Sequence, residues 1–310
     1  MQTTEADGKI ALLVRAVRVP FFTASLIPVA VGGAEAARHD RFDLVLFLLC
    51  LVGAVLFQAS SNVLNDYFDH RGGTDDINLY YNPFSGGSRL IQEGRLTPGQ
   101  TLALGIVLMV MGITIGIGLT IVSGPKLLII GAVGVFLVLI YSIDRVGLAY
   151  VGRGLGELAI GLGFGPVMIL GTCYVLTGGF PATAWWLSFP IALLIILVLY
   201  VNGYPDHDAD KISGKKTLVV TLGRSAARYG YTLGLFLVYA AIGVGAFLDI
   251  IPGWTLISLL TIPLAVSAVA KLWKVYDDPR AVVGVCALTI LVHLVTGLLV
   301  VTGLLLDRYV

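Results

Sequence analysis

Charge is what this sequence has least of. Only 13% of its 310 residues are Asp, Glu, Lys or Arg, against roughly 25% in a soluble domain. That shortage excludes an ordinary water-soluble fold, and a net charge of +1 excludes the basic surface with which proteins hold nucleic acid. Cysteine and histidine are scarce too, at three and four residues. Cys50, Cys173 and Cys286 stand singly inside apolar runs, so no disulfide framework or Cys/His metal spacing is present. They read as small core or lipid-facing residues. Low-complexity segments are absent, and nothing resembles a separate soluble domain, which argues for one integral-membrane domain over 1–310. Met1 to Lys9 is polar and lacks the charged-then-apolar order of a cleaved signal peptide.

Apolar sequence is what remains, 57% of the chain with a mean hydropathy of +0.92. A helix needs about 20 apolar residues to cross the hydrocarbon core. Nine such runs are expected, at 18–36, 43–64, 101–122, 126–143, 155–177, 184–203, 229–249, 253–273 and 281–305. The expected fold class is all-α, a polytopic membrane protein with a nine-helix bundle. Nine crossings put sixteen of the Lys and Arg residues on one side and four (Arg38, Arg41, Lys126, Arg308) on the other. The richer side faces the cytoplasm by the positive-inside rule. The N-terminus is therefore expected inside and the C-terminus outside, in a cell inner membrane.

Two stretches break the apolar pattern where charge is costly. Asn62-Val-Leu-Asn-Asp-Tyr-Phe-Asp69 and Asn202-Gly-Tyr-Pro-Asp-His-Asp-Ala-Asp210 each close a long run, about 140 residues apart, on the expected cytoplasmic side. As helices they place Asn62, Asp66 and Asp69 on one face and Asp206 with Asp210 on another, with Asp208 turned away. They read as two halves of one site. Long polar loops follow each, 70–100 and 204–228, and loops of that length in a compact protein are usually functional, such as a cap.

Gathered acids repel one another, and a divalent cation offsets both repulsion and burial. Oxygen-only ligands at Asp66, Asp69, Asp206 and Asp210 favour Mg²⁺. Arg18, Arg71, Arg89, Lys211 and Lys215 lie on the same side, and acids, metal and basic rim together suit a bound diphosphate. A diphosphate at the mouth of an apolar bundle implies a lipid-like tail in the bilayer. Ionising an allylic diphosphate leaves a carbocation, which the ring faces of Tyr67, Tyr141, Tyr150 or Tyr204 would stabilise. Asp75, Asp76 and Asp208 are balanced between site residues and solvated loop acids, and Glu157 between a pocket residue and a helix-start acid. His70 and His207 read as surface or hydrogen-bonding residues, and His293 as a satisfied core histidine.

Asn65-Asp-Tyr-Phe-Asp69 with Gly73-Thr-Asp75 resembles the first Asp-rich motif of the UbiA superfamily of intramembrane aromatic prenyltransferases. Asp206-His-Asp-Ala-Asp210 followed by Gly214-Lys-Lys-Thr-Leu-Val-Val-Thr-Leu-Gly223 resembles the second, and Arg18 before Pro20-Phe-Phe-Thr resembles the family's Arg at the first span. Within that superfamily, Gly87-Ser-Arg-Leu-Ile-Gln92, Tyr150, Gly154-Leu-Gly-Glu157, Phe164-Gly-Pro166 and Gly171-Thr-Cys-Tyr-Val-Leu-Thr-Gly178 are similar to the 1,4-dihydroxy-2-naphthoate polyprenyltransferases. Two features depart from that branch: Pro205 stands where an Arg often precedes the second motif, and 76–86 is longer than usual. The resemblance implies a bundle with a central cavity under cytoplasmic cap loops. It also implies Mg²⁺-dependent transfer of a polyprenyl group from an allylic diphosphate to a small aromatic acceptor, within the lipid bilayer. Asp66, Asp69, Asp206 and Asp210, helped by Asn62 or Asn65, would bind metal and diphosphate. Arg18, Arg89 and Lys215 would contact phosphate, Tyr141 and Tyr150 with Glu157 would line the acceptor and carbocation region, and Asn202 would contact substrate. Other acceptors, such as 4-hydroxybenzoate, homogentisate, a haem vinyl group or a glyceryl phosphate, stay open, as does an ion-coupled transporter.

Overall fold

The computed structural model describes residues 8–143 and 145–309. The reading of the N-terminal segment falls mostly on residues 1–7, outside the described residues. Among the described residues, eight helices are long and apolar enough to cross a membrane: Val19–Arg38 (α2), Leu44–Gly72 (α3), Pro98–Ser123 (α5), Leu155–Thr177 (α8), Ala182–Ser213 (α9), Arg224–Phe247 (α11), Gly253–Val275 (α12) and Val283–Asp307 (α13). A ninth, Lys126–Ser142 (α6), is equally apolar but shorter, so the nine expected runs all become helix. Short helices join them: Lys9–Ala16 (α1), Thr74–Ile77 (α4), Leu148–Val151 (α7) and Leu218–Leu222 (α10).

Local sequence sets the boundaries. Pro98 opens α5 behind Thr97, whose hydroxyl accepts from Gln100 N while the Gln100 side chain accepts from Thr97 N. Pro166 interrupts α8 with one widened turn over Gly163–Val167, as a missing donor inside a helix requires. Gly297 lets α13 approach α2, because any Cβ there would collide with Ile27.

The two helices that carry the acidic motifs are the longest. At 29 and 32 residues, α3 and α9 extend about 43 and 48 Å, against about 30 Å of hydrocarbon. Apolar matching to the bilayer uses their earlier turns, so the acidic turns project to the membrane edge. Residues 78–97 then fold back over the end of α3, with Leu90 buried against Ala16, Val17, Ala59 and Val63. The opposite edge is tied differently: Glu35, wholly buried, lies 3.3 Å from Arg38, which also meets Asp307, while Arg308 pairs with Asp40.

Candidate active site

The acidic-motif turns of α3 and α9 face each other across one cavity of about 180 Å³. Its walls include Asn62, Asn65 and Asp69 from α3, Asp75 from α4, and Asn202, Asp206 and Asp210 from α9. Arg18, Tyr141, Glu157 and Lys215 complete it. The chain therefore brings together residues that the sequence reading had assigned to one site from the Arg18 bend, α3, α6, α8, α9 and the Lys215 strap, and adds Asp75 of α4.

Cations are already seated among the acids. Arg18 Nη2 donates to Asp66 Oδ1 at 2.9 Å, and the Ser88 amide donates to Asp66 Oδ2 at 3.0 Å. Lys215 Nζ lies 2.6 Å from Asp69 Oδ1 and 3.8 Å from Asp210 Oδ1. Burial alone would lower the ionisation of Arg18 and Lys215. Instead the facing carboxylates, Asp66, Asp75, Asp69 and Asp206 for Arg18 and chiefly Asp69 and Asp210 for Lys215, hold both above their ordinary values. Both cations stay charged at neutral pH.

Asp75 is buried at 3% exposure, so it belongs to the site and is no solvated loop acid. Burial, then Asp69 and Asp66, push its carboxyl up to about 8. The loop reaches it through Gly87 (φ 76), where any Cβ would strike the Asp75 carboxylate. Asp76 and Asp208 are exposed; Asp208 turns outward to Arg224 at 3.2 Å, as helical spacing predicts.

Other expected residues take different posts. Arg89 stands on the rim, with its guanidinium donating to the Asp75 carbonyl and lying 4.5 Å from the Tyr81 ring centre. Arg71 and Lys211 are exposed. Tyr141 lines the cavity, whereas Tyr150 lies one layer back, its hydroxyl 3.4 Å from Thr74 Oγ1 and its ring 5.7 Å from Lys215 Nζ. Tyr204 is wholly buried against Tyr200, and Tyr67 packs on Phe68. Glu157 Oε1 accepts from Leu218 N at 2.6 Å, so this buried acid also pins the strap that carries Lys215. Asn62 Nδ2 donates to the Val17 carbonyl at 2.9 Å. Asn202 lines the cavity with a buried Oδ1 that has no hydrogen-bond partner. His70 meets Asp76 and His207 meets Asp208, while His293, buried in α13, faces the Thr23 carbonyl at 3.3 Å. The three cysteines are buried and free.

Two contributors escaped the sequence reading. Asn78 Nδ2 donates to Asp206 Oδ1 at 2.7 Å, joining the first loop to the second motif. Gln58 sits two turns before Asp66 and lines both this cavity and a larger one. Position 78 follows a turn, where no periodicity points inward; Gln58 carried a signal, as an amide inside an apolar run.

The larger cavity, about 630 Å³, is bounded by α3, α5, α6 and α8 and is almost wholly apolar. It shares Gln58, Ser61, Ile160 and Phe164 with the polar cavity, so a charged end and an oily end adjoin.

Among the described residues, no three His, Cys, Asp or Glu side chains stand close enough to hold a metal by themselves. The donors present are nevertheless of the right kind. Asp66, Asp69, Asp206 and Asp210 face two cations, leaving negative charge for a hard ion to offset, and Asp75 stands beside them as a further oxygen donor. Mg²⁺ characteristically uses one or two carboxylates, waters and substrate phosphate oxygens rather than a complete protein cage. The residues fit such an ion.

Comparison with known proteins agrees. Residues 25–283 match the UbiA prenyltransferase family. The chain is 30% identical over 270 residues to UbiA prenyltransferase domain-containing protein 1 of Xenopus tropicalis, covering 86% of this chain and 75% of that one. It is 27% identical over 286 residues to 1,4-dihydroxy-2-naphthoate octaprenyltransferase of Bacillus subtilis (strain 168), covering 86% of each. In fold it is similar to a UbiA homologue from Archaeoglobus fulgidus solved bound to DMAPP and Mg²⁺, with a TM-score of 0.66 at 13% identity over 93% of this chain and 98% of that one. With two acidic helix ends at one cavity and a family match across most of its length, this chain belongs to the UbiA prenyltransferase family and is a membrane prenyltransferase.

Proposed function

We propose that the protein transfers a polyprenyl group from an allylic prenyl diphosphate to an aromatic acceptor, 1,4-dihydroxy-2-naphthoate, giving a demethylmenaquinol, the reduced form of a demethylmenaquinone. The observation that carries this reading is the junction of a charged cavity, walled by both acidic motifs, with an apolar chamber of about 630 Å³. An amphiphile with an anionic head and a long hydrocarbon tail fits that pairing. The naphthoate acceptor is supported by the names of relatives from Bacillus subtilis, Escherichia coli and Mycobacterium tuberculosis, at 27–31% identity. The bound DMAPP and Mg²⁺ of the Archaeoglobus homologue support the donor and the ion. The sixteen-to-four division of cations supports a cytoplasmic site.

Asp66, Asp69, Asp206 and Asp210 would hold Mg²⁺ together with the diphosphate. Bound there, the ion screens charge on the departing diphosphate. As the head group enters, Arg18 and Lys215 exchange carboxylate partners for phosphate oxygens, and Arg89 contacts it from the rim. The allylic C–O bond breaks with its electron pair leaving on diphosphate. The prenyl cation stays in a dry pocket beside the Tyr141 ring face. Tyr150 acts from behind by holding Thr74, and Glu157, at the cavity wall, holds the Leu218 strap. Asn202 accepts a hydrogen bond from an acceptor hydroxyl, and Asn65 contacts the diphosphate region. The acceptor ring carbon forms the new C–C bond, and the ring loses CO₂ from a carboxylated carbon or a proton from an unsubstituted one.

The test is purified protein in detergent with geranylgeranyl diphosphate, Mg²⁺ and a panel of aromatic acceptors, read by diphosphate release and product mass. A prenylated naphthoquinol that disappears with EDTA is expected. Metal-dependent product from a different acceptor alone would discard the naphthoate assignment and keep the chemistry.

A further inference from the structure

Arg18 adopts a left-handed backbone, φ 55 and ψ 55, which is unfavourable for any residue with a side chain. Such a conformation persists only where the surroundings over-determine it. Here the surroundings are two amides one turn apart on α3. Asn62 Nδ2 donates to the Val17 carbonyl at 2.9 Å, and Gln58 Nε2 donates to the Phe21 carbonyl at 2.6 Å. These carbonyls bracket Arg18 in the chain. Gln58 is only 4% exposed and cannot turn freely, because the Ser25 hydroxyl donates to its Oε1. Ser25 is itself wholly buried, with its oxygen 3.4 Å from the Ala54 carbonyl.

We propose that Gln58 is a positioning residue for prenyl diphosphate binding. With Asn62 it clamps the bend at residues 17–21 against α3 and so aims the Arg18 guanidinium at Asp66, two turns further along the same helix. The spacing makes the clamp effective. Gln58, Asn62 and Asp66 recur every four residues on one helix, so the carbonyl anchors and the carboxylate that receives Arg18 move as one rigid strip. Releasing one anchor frees the bend and lets Arg18 relax to an ordinary conformation pointing elsewhere. Both ends of the Gln58 amide are engaged by the protein, at the Phe21 carbonyl and the Ser25 hydroxyl, so its removal acts through the bend: it weakens donor binding and spares the chemical step.

This inference rests on Arg18 contacting the diphosphate, and a double-mutant cycle separates the two ideas. Steady-state kinetics on Gln58→Met, Arg18→Ala and the double variant would be read as KM for prenyl diphosphate, KM for acceptor and kcat. Losing one buried hydrogen bond corresponds to about a tenfold change. Gln58→Met is thus expected to raise the donor KM about tenfold, with acceptor KM and kcat moving less than about twofold. Because Gln58 acts through Arg18, the double variant is expected to match Arg18→Ala. A donor KM unchanged in Gln58→Met, or effects that multiply in the double variant, would overturn the clamp while leaving Arg18 in its role. A donor KM unchanged in Arg18→Ala would refute Arg18 and the clamp with it. Should Gln58→Met not fold, Ser25→Ala, which loosens the Gln58 amide alone, is expected to raise the same constant about threefold; no rise would overturn the proposal.

Discussion

Helices α3 and α9 run past the bilayer in the same way. Each carries an Asn one turn before an Asp, and each ends four residues after its last acid on a left-handed glycine, Gly73 (φ 78) and Gly214 (φ 88). Their amides do different work. Asn62 is spent on a backbone carbonyl, where it steadies the bend that presents Arg18. Asn202 keeps a buried oxygen without a partner at the cavity wall. Their acids are paired in two ways: Asp66 of α3 meets a guanidinium and a backbone amide, whereas Asp69 of α3 and Asp210 of α9 share one lysine. Similar helix ends thus differ in their amides: one is engaged by the backbone, and the other keeps a buried oxygen without a partner.

Breaking both halves should give the largest effect. Asp66→Ala and Asp206→Ala are each expected to lower kcat/KM by at least about 10²–10³, the scale of losing one preorganised charge-stabilising group, with the protein still folded in a detergent melting assay. Equal loss on the two sides fits one shared site; turnover near wild type in either variant would sink it. Next comes Lys215→Met, which leaves Asp69 and Asp210 facing each other without their shared cation. Removing one partner of a buried pair costs about 3–5 kcal/mol. The melting temperature should fall clearly in EDTA and recover in part with Mg²⁺ and a diphosphate, since a ligand that binds only the folded state stabilises it.

The amides sharpen the comparison at a smaller scale. Asn202→Leu is expected to raise the acceptor KM about tenfold, because the acceptor loses a hydrogen bond, while Asn62→Leu raises the donor KM instead. A swap of those two outcomes would reverse the division of labour drawn above. Asp208→Ala should do least. Its carboxylate is exposed and turned to Arg224, so stability should stay within about 0.5 kcal/mol and turnover unchanged.

Much of this was legible in the sequence, for physical reasons. Hydrocarbon thickness fixes the length of apolar runs, so nine crossings could be counted, and the i,i+4 spacing of Asp206 and Asp210 put both acids on one face with Asp208 outside. Helix periodicity is silent once the chain leaves the helix. Asp75 is balanced in sequence between a site residue and a solvated loop acid; the turn at Gly73 carries it inward, and Gly87 supplies the room. Asn78 reaches Asp206 across 128 residues of chain, a pairing that no local pattern encodes. Tyr150 and Tyr204 are near the site in sequence but stand behind its wall, because aromatic residues at helix ends pack as readily as they line cavities. Arg71 and Lys211 share a side of the membrane with the acids without sharing the cavity; topology resolves sides, not directions.

The claim that both motifs build one metal-dependent diphosphate site is tested most directly by binding. A non-reactive prenyl thiodiphosphate would be titrated into purified wild type, Asp69→Asn and Asp210→Asn, with Mg²⁺ and with EDTA. Comparable weakening in the two variants, and loss of wild-type binding in EDTA, are expected. Tight binding that survives EDTA, or that depends on only one of the two helices, would contradict the account.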